Sequence, residues 1–278
     1  MSEPDTGNYF TKGEDQPLLT GHIVIYGEEG SGKTTLGMSM SKLATSRGSN
    51  LKDGLLIAWD RGAHDSVKGN GFTMDTINVR KAAETKGIVP TLNNLDKIIP
   101  PAAREGRSFV LHSSLSALDR IVGKHCQETF PDKKDTQEMW TLHSSLLTFY
   151  AMHMNAIFPE PIVHIYEMHA KAIFEQTGSR EKNDKLKREA EGISPIMPDA
   201  TGKGGALFTR DASLVIHTDV KAGVGQEPDS YVLHPRPGGN YKAKTRYGRV
   251  LPKEMVNATL PQLFALVEKN LRALDGSK

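Results

Sequence analysis

The stretch from His22 to Met40, HIVIYGEEGSGKTTLGMSM, constrains the fold of this chain more than any other. Four β-compatible residues run into a glycine-rich turn. Lys33, Thr34 and Thr35 then open a helix-compatible segment in which Leu36, Met40 and Leu43 recur at helical spacing, so one apolar face can lie on a sheet. The turn itself, Gly27-Glu28-Glu29-Gly30-Ser31-Gly32-Lys33-Thr34, satisfies G-x-x-x-x-G-K-[ST]. Glycines let the backbone curl until successive N–H groups face one anion, and the following helix adds its positive end. In such a loop Lys33 brings a mobile charge to the β- and γ-phosphates, the Thr34 hydroxyl ligates Mg²⁺ and Thr35 meets the α-phosphate. The cofactors expected are therefore ATP and Mg²⁺, held by Gly27, Gly30, Ser31, Gly32, Lys33, Thr34 and Thr35.

The rest of the chain repeats this alternation. Apolar runs at Ile23 to Tyr26, Leu55 to Trp59, Phe109 to His112, Ile162 to Tyr166, Leu214 to His217 and Tyr231 to His234 are separated by helix-like stretches, which predicts an α/β fold with a mainly parallel central sheet. Asp135 and Glu138 have the spacing of an N-cap and its third residue, and Met139, Leu142, Leu146, Phe149 and His153 trace one face of a long helix behind them. Thr259 and Gln262 form a capping-box pair before a last helix whose apolar residues are Leu260, Phe264, Val267, Leu271 and Leu274. Charge, glycine and proline make Gln176 to Gly205 read as irregular, and Pro235 to Asn240 as a turn. Residues 1–20 read as a loose arm without an export signal, and 21–278 as a single domain. No apolar run approaches the roughly 18 residues of a membrane span, and the lone cysteine, Cys126, suits a reducing cytoplasm.

A phosphate loop does not by itself separate kinases, GTPases and motor ATPases, but later segments do. LLIAWDRGA places Asp60 at the carboxyl end of a strand, where ligands of open α/β sheets gather. SFVLHSSLSALDRI, PIVHIYEMHAK and NYKAKTRYGRVLP follow. With the phosphate loop, these resemble the compact RecA-like ATPases of phages, often labelled AAA-domain proteins, which include recombination and single-strand-annealing partners. The resemblance covers roughly residues 20 to 255. It implies a RecA-like P-loop NTPase core, ATP hydrolysis, single-stranded DNA as partner, and a homo-oligomeric ring or filament with nucleotide at subunit interfaces. It further implies a cytoplasmic location, in the host if the source is a phage, and a partner annealing or replication protein.

Carried over by position, the resemblance makes Asp60 the acid that polarises the attacking water and His169 the sensor of the γ-phosphate. Lys244 and Arg246 become a basic finger reaching a neighbouring subunit's nucleotide. Relatives read Asp-Ser-Leu-Thr/Ser-Ala-Leu after the third strand, whereas this chain has Ser113-Ser114-Leu115-Ser116-Ala117-Leu118. The Walker B position is thus Ser113, whose hydroxyl can hold a metal-bound water but brings no negative charge. Asp60 and Glu167, both following apolar runs, are the carboxylates that can take its place. In RecA-like relatives the loop after the fourth strand touches single-stranded DNA, which here points to Arg180, Lys182, Lys185, Lys187 and Arg188. Arg236 to Lys253, with six cations, no acid and two interleaved tyrosines, is the second candidate. Two other functions fit the same motifs: a hexameric helicase or translocase, and a nucleotide-stabilised scaffold with weak hydrolysis. A small-molecule kinase fits less well, because no arginine-dense lid segment lies between the strands.

Overall fold

A computed structural model describes residues 21–41, 54–69, 74–132, 136–159, 162–172, 196–198, 202–223, 228–238, 242–247 and 250–275. Within these, the strands are β1 (Gly21–Gly27), β2 (Leu55–Ala58), β3 (Asp75–Asn78), β4 (Phe109–Ser113), β5 (Val163–Ala172), β6 (Ile196–Pro198), β7 (Leu214–Lys221), β8 (Ser230–His234), β9 (Lys244–Thr245) and β10 (Met255–Val256). The helices are α1 (Lys33–Met38), α2 (Ala63–Gly69), α3 (Val79–Lys86), α4 (Ile88–Asn93), α5 (Leu95–Ile98), α6 (Pro101–Arg104), α7 (Leu115–Thr129), α8 (Gln137–Ile157), α9 (Gly202–Asp211) and α10 (Leu260–Asp275).

All six expected strands form. Their order across the sheet is β10-β8-β7-β1-β5-β4-β2-β3, with β1 parallel to both β5 and β7, and β4 parallel to both β2 and β5. The strands at the β8 end run antiparallel. Continuous apolar runs suit the central strands because helices cover both faces. One core layer joins Val24, Ile57, Val110 and Val215 to α7, α8 and α9. The other joins Ile23, Ile25, Leu111 and Ile216 to α1, α2 and α10. The α/β core expected of a RecA-like P-loop protein is therefore present. The short strands β3, β6, β9 and β10 lie outside the expected runs, and α9 forms at the end of the segment read as irregular.

Two local expectations shift. The N-cap of α8 is Thr136, whose hydroxyl accepts from the Met139 N–H at 3.4 Å. Met139 is buried as expected, but from there the buried face of α8 follows His143, Leu147, Tyr150 and Met154, while Leu142 and Leu146 are only partly buried beside it and Phe149 is 37% exposed. Tyr150 turns inward because Trp59 and His112 satisfy its hydroxyl, and His143 turns inward with its Nε2 3.4 Å from the Asp119 carboxylate. The capping box of α10 is as expected, with the Thr259 N–H donating to Gln262 Oε1 at 2.8 Å, and Leu260, Leu263, Phe264 and Val267 are buried. No helix among the described residues is long and apolar enough to cross a membrane.

Candidate nucleotide site

β1 delivers the phosphate loop at the carboxyl edge of the parallel strands. Gly30 and Gly32 both have φ of 79°, a left-handed conformation that a side chain would strain. At Gly32 a Cβ would also stand 2.7 Å from the Tyr231 ring. The loop is tied to β7 by a directed pair of hydroxyls: Thr218 donates to the Tyr26 carbonyl at 3.2 Å, so Ser31 donates to Thr218 at 2.8 Å. Lys33 folds back over the loop and donates to the carbonyls of Gly27, at 3.0 Å, and Glu28. Burial lowers its pKa, opposed by the charges of Glu167, Glu28 and Glu29.

Around this loop the sheet gathers side chains from strands distant in sequence. Asp60 follows β2, and the backbone N–H groups of Trp59 and Asp60 both donate to the Ser113 carbonyl, at 2.5 and 3.2 Å. The Asp60 carboxylate also accepts from the Gly62 N–H at 3.4 Å, closing the turn after the strand. His169 stands in register with Gly27, and its N–H donates to Ser116 Oγ at 3.0 Å. Glu167, only 2% exposed, accepts from the Thr34 hydroxyl at 3.3 Å through Oε2. Burial pushes its carboxyl up to about 6, against hydrogen bonds from Ser113 and Thr34 and the charge of Lys33, with Asp60 adding to the rise. Among the described residues, no group of three or more His, Cys, Asp and Glu forms a ready metal cage.

Beside the loop lies a cavity of about 150 Å³ lined by Gly32, Thr35, Leu36, Tyr231, Leu233 and Asn257 among others. The Tyr231 and Asn257 walls were not legible in the sequence, because they come from β8 and the segment after β10 and meet α1 only through the sheet order.

The structure thus brings Lys33, Thr34, Thr35, Asp60, Ser113 and His169 to one edge. It does not bring Lys244 and Arg246 there. β9 pairs Thr245 with Leu214, which lies beside Ile23, while Gly27 lies beside Thr218. Four strand residues, roughly 13 Å, therefore separate the two positions along the sheet. At that opposite edge Lys244 donates to the carbonyls of Thr209 and Arg210, and Arg246 to that of Asp211 at 3.2 Å, so both close the carboxyl end of α9. Arg180, Lys182, Lys185, Lys187 and Arg188, the expected DNA contacts, lie outside the described residues, as do Leu43 and Asp135.

A glycine loop after a central strand, with Ser113 two strands away at the end of β4, defines an α/β protein built around a phosphate-loop turn. The chain matches no protein-family model and no curated protein. Among solved structures, it is similar to a KaiC-like protein of Pyrococcus horikoshii OT3 at 12% identity and a TM-score of 0.38, over 78% of each chain. It is also similar to the flagellar accessory protein FlaH of Methanocaldococcus jannaschii at 13% identity and a TM-score of 0.38, over 85% of this chain and 84% of the other.

Proposed function

We propose that this protein binds ATP with Mg²⁺ on the loop from Gly27 to Thr35 and hydrolyses it, as a RecA-like ATPase of the phage recombination or annealing type acting with single-stranded DNA. The observation that carries the nucleotide reading is the loop itself. Its two left-handed glycines and Lys33 sit at the carboxyl edge of the sheet, with Asp60 and His169 facing the same edge from β2 and β5. Lys33 is poised for the exchange, since the carbonyls it now contacts are partners that a phosphate can replace. The metal's part would be to neutralise and polarise the terminal phosphates, and the Thr34 hydroxyl and the Ser113–Glu167 neighbourhood are the groups that fit it. Asp60 would orient the attacking water and His169 would respond to the γ-phosphate. The nucleoside end of the ligand falls to the cavity against Tyr231, whose ring supplies a face on which a base can stack.

DNA binding rests on position. In the sequence, Arg180 to Arg188 follow β5, the strand that carries His169 and ends at Ala172. Lys244 and Arg246, remote from their own loop, would reach a neighbouring copy's nucleotide only by leaving the carbonyls at the end of α9. Ser113 favours a second reading, a nucleotide-stabilised scaffold with little turnover.

Binding of a fluorescent ATP analogue to wild type and to Lys33→Ala tests the central claim. Loss of charge-assisted contacts to phosphate lowers affinity by about one to three decades. Equal affinity in the two proteins would refute binding on this loop.

A further inference from the structure

Ser113 leaves the Walker B position without a charge, and the sheet supplies one from the neighbouring strand. β4 and β5 run parallel with Phe109 beside Val163 and His112 beside Tyr166. The next step along both strands sets Ser113 beside Glu167. Neighbours in register on parallel strands point to the same face, and this face is the one under α1, where Leu111 and Ile165 precede them in the core. Glu167 therefore lies one strand nearer to β1 than residue 113 does, beside Ile25.

Its two carboxylate oxygens are not equivalent. Oε2 accepts from Thr34, the hydroxyl that a phosphate loop offers to its metal. Oε1 is buried and has no hydrogen-bond partner. It lies close to Gly37 of α1, where an added Cβ would come within 3.6 Å of it. A buried anion with an unused oxygen is costly unless a cation or donor arrives to meet it. Packing does not explain the residue, since Ile165 and Val163 fill the preceding positions on the same face with apolar side chains.

We propose that Glu167 is the carboxylate of the Mg²⁺ site, displaced by one strand from the Walker B position that Ser113 occupies. Ser113 then serves as a positioning residue, spending its hydroxyl on the Glu167 carboxylate rather than on the metal's water. This assignment rests on the nucleotide reading above. It predicts that a second carboxylate at residue 113 adds a like charge to a site already served, so Ser113→Asp alone does not improve metal use.

The test measures affinity for ATPγS by calorimetry, once in EDTA and once in Mg²⁺, and takes the ratio. Wild type binds more tightly with Mg²⁺. In Glu167→Gln the ratio falls by about 10- to 100-fold, the usual cost of losing a group that orients a metal's ligands. In EDTA the same variant binds at least as tightly as wild type, because a negative charge near the phosphates has gone. A purely structural Glu167 would instead weaken both conditions together. Ser113→Asp/Glu167→Gln, which moves the charge back one strand, recovers part of the ratio. Glu167→Asp keeps the charge but withdraws it by a methylene, and lowers the ratio in a second background. An unchanged ratio in Glu167→Gln overturns the assignment and leaves the loop reading standing. Wild type that binds no ATPγS in either condition overturns the nucleotide reading and the assignment with it.

Discussion

Tyr150 is the hub of a buried hydrogen-bond chain behind the nucleotide edge, and Tyr150→Phe tests it directly. Trp59 Nε1 lies 3.1 Å from the Tyr150 hydroxyl, which lies 2.7 Å from His112 Nδ1; His112 Nε2 is 3.1 Å from His164 Nδ1, and His164 Nε2 is 3.2 Å from the Phe158 carbonyl. Indole can only donate and a carbonyl can only accept, so both ends set the direction. Trp59 donates to Tyr150, Tyr150 to His112, His112 to His164 and His164 to Phe158, with both histidines neutral and protonated at Nε2. Burial keeps them so: it holds His112 well below its usual range and brings His164 down to about 4.

The substitution keeps the ring and removes only the hydroxyl. It leaves the Trp59 N–H and His112 Nδ1 buried without partners, at about 1–3 kcal/mol each. The hydroxyl's own desolvation is recovered, so the net loss is roughly 2–4 kcal/mol. Urea unfolding at constant m-value reads that loss as a lower midpoint. A loss under about 0.5 kcal/mol would refute the hub, as would nitrogen-15 spectra showing either ring protonated at Nδ1. The same chain sets a pH dependence. Both histidines bind protons more weakly folded than unfolded, so their contribution is complete above the unfolded value of 6.5. It is lost as pH falls below that value, for His164 down to about 4, at a slope of up to about 1.4 kcal/mol per pH unit for each. Trp59 and His112 immediately precede Asp60 and Ser113, so loosening the hub loosens the site as well.

Two further outcomes concern assembly and DNA. Mixing Lys33→Ala with Arg246→Ala subunits restores part of the phosphate release that each lacks alone, since a mixed interface joins an intact loop to an intact finger; assembled mixtures that stay inactive would assign Arg246 to α9 alone. Lys185→Glu/Lys187→Glu weakens binding of a labelled single-stranded oligonucleotide and flattens its salt dependence by roughly 0.7 per lost phosphate contact, with ATP binding intact; equal anisotropy titrations for both proteins would leave Arg236 to Lys253 as the DNA candidate.

What the sequence determined by itself is local. The phosphate loop is contiguous, and its glycine positions, its lysine and its flanking periodicities all act within a few residues, so loop, strand and helix are legible together. The six main strands are legible for the same reason, as apolar runs, and so is the capping box of α10. Periodicity failed on α8 because apolar residues occupy two adjacent stripes of that helix, and the choice between them turned on whether Tyr150 and His143 would find partners across the core. The separation of Lys244 and Arg246 from their own loop came from the pairing of β9 with the start of β7. Glu167 shows the limit most plainly. In sequence it is one of several acids after an apolar run, and nothing local ties it to Ser113 or Thr34. Only the parallel register of β4 and β5, set by long-range burial of both strands, puts its charge where the Walker B strand has none.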